Sequence, residues 1–299
     1  MNRSRLLMLA SAVFCATCMI IAGCATSSDD TSDEGLIPRA KGGAAGVELK
    51  EVAAKDYGTI VGTVTYDGTP PSRPDINMGN HKDAGYCMQG EHKDQTWIVD
   101  SASKGIENVV VWVNPPKGSY FPKPDDKHKS WNDAVVVDQP HCVFVPHVVV
   151  LYPQYFNGKD RVETGQVLKV LNTAEVGHNI KVAGSNELNP TRDGGMMPVK
   201  TGVVEFKGIK VDKQEVSLNC NVHTWMTGYA LTFDHPYAAR TNTKGQFVIK
   251  NVPAGVELTF KGWHEGVQPK RFDPGVEGGT KFTLKPGETK QLDFKISAK

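Results

Sequence analysis

Helical periodicity, charge of one sign and cysteine are all scarce in this 299-residue sequence. Past residue 24 no long segment repeats apolar residues at spacings of three and four, which argues against a helical bundle. Lys and Arg number 34 against 33 Asp and Glu, a net charge of +1, which gives no electrostatic case for a nucleic-acid partner. Signatures of common chemistry are missing too. There is no Gly-rich phosphate loop, no Ser/His/Asp set, no pair of catalytic carboxylates and no Cys-x-x-Cys-His haem signal. No enzyme is expected on that ground. Cysteine numbers only six, so the placing of each asks for a reason.

The first 24 residues, MNRSRLLMLASAVFCATCMIIAGC, set Arg3 and Arg5 ahead of an apolar run that stops at Ile21-Ala22-Gly23-Cys24. Residues 1–23 read as a secretory signal, because small residues before a cysteine favour cleavage over a membrane span. Ile-Ala-Gly-Cys resembles the lipobox of bacterial lipoproteins, which implies a lipidated Cys24 as mature N-terminus and an acyl anchor in a membrane. Ala25 gives no retention signal of the aspartate type and tilts the address toward the outer membrane, facing the periplasm or the cell surface. Losing residues 1–23 removes two arginines and no acid, so the net charge becomes −1. Residues 24–56, rich in Ser, Asp and Gly at first, read as a flexible tether. From Tyr57 onward there is room for one large or two small domains.

Cys15 and Cys18 leave with the signal and Cys24 is lipidated, so three cysteines remain: Cys87, Cys142 and Cys220. An odd number in an oxidising compartment implies one unpaired thiol. The simplest division pairs Cys87 with Cys142 and leaves Cys220 for a metal; on spacing alone, Cys87–Cys220 and Cys142–Cys220 stay open.

Short runs rich in Val, Ile, Thr and Phe are cut throughout by Gly, Pro, Asn and Asp, as in GTIVGTVTY (58–66), NVVVWV (108–113) and GQFVIKNV (245–252). Thirteen such runs predict an all-β sandwich architecture with no placeable helix. GTIVGTVTYDGTPP, IENVVVWVNPP and ARTNTKGQFVIKNVPAGVELTFKGWHE together resemble the carboxypeptidase regulatory-like, transthyretin-type β-sandwich. Gly245 and Gly255 stand at its turns, where relaxed backbone dihedrals are needed. The expected organisation is that sandwich split in two, residues 57–118 and 236–299, with a second domain over 119–235 inserted between its strands. Three consecutive small β-modules are the alternative.

The inserted segment carries SLNCNVHTWMTGYALTF, residues 217–233, where Cys220, His223 and Met226 fall at intervals of three. Upstream, LNTAEVGHNIKV places His178 after a polar turn at the start of another strand. Two imidazoles, one thiolate and a weak thioether form the ligand set of a blue-copper electron-transfer site. Methionine is a poor zinc ligand. The Cys-x2-His-x2-Met loop resembles that of amicyanin and its short-loop relatives among the cupredoxins, as does the His-Asn at 178–179. The resemblance implies a Greek-key sandwich and one type 1 copper ion held by His178, Cys220, His223 and Met226. It also implies that Asn179 steadies the ligand loops and that electrons leave through the solvent edge of His223, with Trp225 at the contact surface.

Other candidates are weaker. His141 and His147 flank Cys142 and read as surface histidines beside a disulfide cysteine. Met78, His81, Met88, His92 and His128 scatter without a period through the loop 77–132. Trp263-His264-Glu265 reads as packing. The expected function is a membrane-anchored carrier of single electrons, serving redox protein partners and no small-molecule substrate. Copper trafficking and a surface scaffold or adhesion module with a vestigial metal site are the alternatives.

Overall fold

A computed structural model of the chain describes residues 48–298. The signal, Cys24 and the tether as far as residue 47 lie outside the described residues. The far end of the expected tether is not free: Lys50–Glu51 pairs in parallel with Ser119–Tyr120, and Val52 is buried in the core because its side chain is apolar. Within them the chain is almost wholly β, with one four-residue α-helix at Ala84–Cys87. No helix among the described residues is long and apolar enough to cross a membrane.

Strands from the two ends of this region pair with each other. Tyr57–Tyr66 alternates half-buried and buried positions along its whole length, so Ile60 and Val64 point to one side. It runs antiparallel to Gln246–Pro253 and parallel to Thr289–Gln291 and Phe294–Ile296. Val110–Asn114 is buried at every position because it lies between Ala238–Arg240 and Glu257–Trp263. Such a strand has to be apolar on both faces, and VVWV is. These sheets close over a core that includes Ile60, Val111, Phe247, Phe260 and Phe294.

Strands between residues 134 and 232 pair only among themselves. Five form a sheet in the order Arg192–Met197, His178–Ala183, Val216–Asn219, Thr227–Thr232 and Val148–Leu151. Three more form Gly202–Phe206, Val167–Asn172 and Ala134–Val137. Val137, Leu168, Val170, Ile180 and Leu218 share the core of these two sheets. A smaller cluster, Val110, Trp112, Val148, Leu231, Phe233 and Trp263, draws residues from both groups of strands.

Some strands lie outside the thirteen runs: Gln154–Phe156 and Arg161–Glu163 pair as a hairpin, and RDGGMM pairs along the open edge of His178–Ala183.

Candidate metal centre

Val216–Asn219 and Thr227–Thr232 are antiparallel and in register to their last pair, Asn219 with Thr227. The seven residues 220–226 therefore span the end of a hairpin. The Met226 N–H donates to the His223 carbonyl at 2.9 Å, and the His223 N–H points at the Cys220 sulfur at 3.4 Å. These bonds curl the loop so that thiol and imidazole share its inside. His178–Ala183 is the neighbouring strand, with Lys181 opposite Asn219, so His178 and Asn179 overhang the same loop. The Asn221 N–H donates to Asn179 Oδ1 at 2.7 Å across that gap.

His178 Nδ1 and His223 Nδ1 stand 3.0 Å apart. Cys220 Sγ is 3.8 Å from the first and 4.0 Å from the second. Both histidines are 0% exposed, and Cys220 and Met226 are buried in the same core. An ion about 2.0–2.1 Å from each nitrogen and about 2.3 Å from sulfur needs nitrogens roughly 3.0–3.4 Å apart; it needs sulfur–nitrogen spacings of about 3.6 Å if tetrahedral, and nearer 4 Å as the angles open toward trigonal. The three donors fit an ion, and the wide sulfur spacings fit the trigonal arrangement better. Burial, reinforced by the neighbouring His223 ring, pulls His178 down to about 4, and burial likewise lowers His223. Both rings are neutral at pH 7, the form that ligates.

Cys87 and Cys142 are joined in a disulfide, and Cys220 is the free cysteine among the described residues. The disulfide sulfurs lie within 4.8 Å of a His223 ring nitrogen, so the bridge lies against the site. Buried Asn172 holds the turn before His178: its Nδ2 donates to the carbonyls of Val176 and Pro198 at 3.1 Å, and its Oδ1 accepts the Ala174 N–H.

Two expectations fail. The His223 edge does not face solvent. It is fully covered, and its Nε2 lies 3.1 Å from Asp83 Oδ2, with the rings of His81 and Trp225 at 4.7 and 5.2 Å. Segment 76–92, held by the disulfide, is what covers it. His147 is not at the surface either: it is buried with Nε2 2.6 Å from Glu265 Oε1, while His141 stacks on Tyr86 at 5.0 Å. Trp263 and His264 are packed in the interior. Of the scattered loop residues, Met78 joins the site's core, Met88 is exposed, His92 lies against the Gly90 carbonyl and His128 packs on Tyr57. Only His81 reaches the centre, together with Asp83, which no sequence signal marks.

The sequence matches no protein-family profile and no curated protein. Among solved structures the chain is similar to an oxidised proline-to-glycine mutant of amicyanin: 17% identity over 40% of this chain and 98% of that one, with a TM-score of 0.26. A reduced proline-to-phenylalanine amicyanin mutant gives 15% identity, 41% and 99% coverage, and 0.26. Identity and TM-score are low, and the donor geometry stands independently of them.

Proposed function

We propose that this chain is a single-copper electron carrier, with His178, Cys220 and His223 as ligands and Met226 as a weak axial fourth. The observation that carries this reading is the convergence of two neutral imidazoles and a lone thiol, from strands 42 residues apart, on one buried point. Thiolate and thioether favour copper over zinc, and the open sulfur–nitrogen spacings agree. When bound there, copper supplies a one-electron couple.

The protein's part is to hold still and stay dry. Hairpin register, the Asn179 bond to the loop and the Asn172 clamp fix the donors before any ion arrives. A fixed donor set costs little reorganisation when charge changes. With His223 covered, the half-buried rings of Trp225 and His81, themselves 5.3 Å apart, offer a way outward, and a redox protein partner would dock there.

In this reading the strands of residues 57–118 and 236–299 form a carboxypeptidase regulatory-like sandwich that accepts the copper domain, 119–235, as an insertion; the separate pairing of the two groups of strands supports it. The lipidated Cys24 and the stretch that follows it would hold the whole at a membrane outside the cytoplasm.

Copper added to the purified protein should bind at one equivalent, give an intense visible thiolate-to-copper band and cycle reversibly by one electron. Cys220→Ser should lose the band. Absence of the band, or its survival in that variant, would refute the assignment, and several exchangeable Cu(I) ions per chain would favour copper delivery instead.

A further inference from the structure

Both nitrogens of His223 are engaged. Nδ1 faces His178 and Cys220, and Nε2 faces the carboxylate of Asp83 at 3.1 Å. Asp83 is the residue preceding the helix Ala84–Cys87, where an aspartate would ordinarily accept a bond from the helix's first amides. Its side chain makes no such bond here. It turns to His223 instead.

The main chain that carries this carboxylate is also held. The Asp83 N–H donates to His81 Nδ1 at 3.2 Å, and the Asp83 carbonyl accepts the N–H groups of Tyr86 and Cys87, each at 3.0 Å. Cys87 is tied to Cys142, and the Tyr86 hydroxyl accepts the Glu175 N–H at 3.0 Å. A segment 140 residues from His223 is thus fastened at two points beside it, with a carboxylate placed on the ring's outer nitrogen.

We infer that Asp83 is a positioning residue for the metal centre: its carboxylate accepts a hydrogen bond from the Nε2–H of His223, which keeps the proton on Nε2 and leaves the Nδ1 lone pair facing His178 and Cys220, and its charge favours the oxidised ion over the reduced one. The second half rests on the copper reading above; the first does not. A carboxylate hydrogen-bonded to the outer nitrogen of a ligating histidine fixes its tautomer and raises its basicity. A negative charge held at this distance in a poorly solvated place stabilises the higher positive charge across the ring.

Two variants separate the parts. Asp83→Asn keeps an oxygen that can accept the Nε2–H hydrogen bond but removes the charge; Asp83→Ala removes both. In metal-free protein, nitrogen-15 NMR should show His223 as the Nε2–H tautomer with a slowly exchanging proton in the wild type and in Asp83→Asn. That proton should be lost from view in Asp83→Ala. In copper-loaded protein, Asp83→Asn should shift the one-electron equilibrium at least tenfold toward the reduced ion, about 59 mV per factor of ten, with the visible band retained. A wild-type His223 protonated on Nδ1, or a shift of less than twofold with the band intact, would overturn the inference. So would a second copper equivalent lost in Asp83→Asn, because Asp83 would then be a ligand itself. If wild type shows no band, the copper reading and the charge effect fall together, and the tautomer measurement alone decides the His223–Asp83 pair.

Discussion

His178 and His223 meet beside a thiol, whereas His235 and His264, equally buried, pack on aromatic rings and join no cluster with a cysteine. His235 lies between Phe121, Phe233 and Tyr237, and His264 packs on Trp97 at 4.2 Å. Each spends Nδ1 on a main-chain N–H two residues away, and His235 leaves Nε2 without a partner. Burial drives His178 and His235 to about 4 and His264 to about 3. Depth and a lowered proton affinity therefore do not distinguish a ligand from a packed ring. What does is the facing of two nitrogens from distant strands with a sulfur within 4.0 Å of both.

The sharpest break of that comparison is a copper titration. Cys220→Ser should weaken binding by more than about a hundredfold, beyond the tenfold to hundredfold usual for residues that only support a ligand. His235→Leu and His264→Leu should leave it within about twofold. If either of those two variants matched Cys220→Ser, the packed histidines would be part of the centre and the contrast would collapse.

Next in size is the disulfide. Cys87 and Cys142 are 55 residues apart, and on the chain-entropy account opening that loop costs about 4 kcal/mol. A Cys87→Ala, Cys142→Ala variant should accordingly melt some 8–16 °C lower, at about 2–4 °C per kcal/mol for a domain of this size. Its first consequence should be local. Segment 76–92 should lose its hold and the His223 ring should exchange with solvent, while the amide of His264, in the other group of strands, stays protected. Equal loss of protection in both places would mean that the bridge supports the whole molecule and not the cover over His223.

Acid should act on the packed histidines. His235 titrates near 6.5 when unfolded and near 4 when folded, so the unfolded chain binds the extra proton between those values. The stability its neutral form contributes is complete above pH 6.5 and falls by about 3 kcal/mol as pH drops to 4. His264 pulls in the same direction to lower pH. Denaturant midpoints measured from pH 7 to pH 4 should decline in the wild type and decline less steeply in His235→Leu. An unchanged slope in that variant would remove His235 from the account.

How much of this could be read beforehand follows from distance along the chain. Cys220 and His223 fall within a seven-residue loop bounded by alternating strands, and His178 opens a run of its own, so the meeting of these three was legible. The Cys87–Cys142 bond was the simplest of three pairings. Asp83 was not legible, because its role exists only after that bond brings a patternless loop over the hairpin. Nor was the strand Arg192–Met197: two glycines and no β-branched residue give no strand signal, and it forms because His178–Ala183 offers an open edge. The covered edge of His223 was misread for the same reason as Asp83 was missed.

The smallest effect tests whether the strands without donors are only a support. Gly245 and Gly255 both have positive φ, 74° and 80°, and both stand at turns among those strands. A methyl at Gly255 would meet open space, so Gly255→Ala pays only for the left-handed backbone, about 1 kcal/mol. At Gly245 it would enter the van der Waals shell of the Val64 carbonyl oxygen and press on Gly105 and Ile106, so these segments would have to separate locally and the loss should exceed about 2 kcal/mol. The Gly245 amide donates to Asn242 and its carbonyl accepts the Val64 N–H at 2.8 Å, so the main chain there cannot rotate away without breaking the pairing of Tyr57–Tyr66 with Gln246–Pro253. Denaturant midpoints should rank wild type, Gly255→Ala, then Gly245→Ala, while copper affinity stays the same in all three. Loss of copper binding in Gly245→Ala at temperatures where it remains folded would show that these strands help shape the centre, and that the two groups of strands do not act apart.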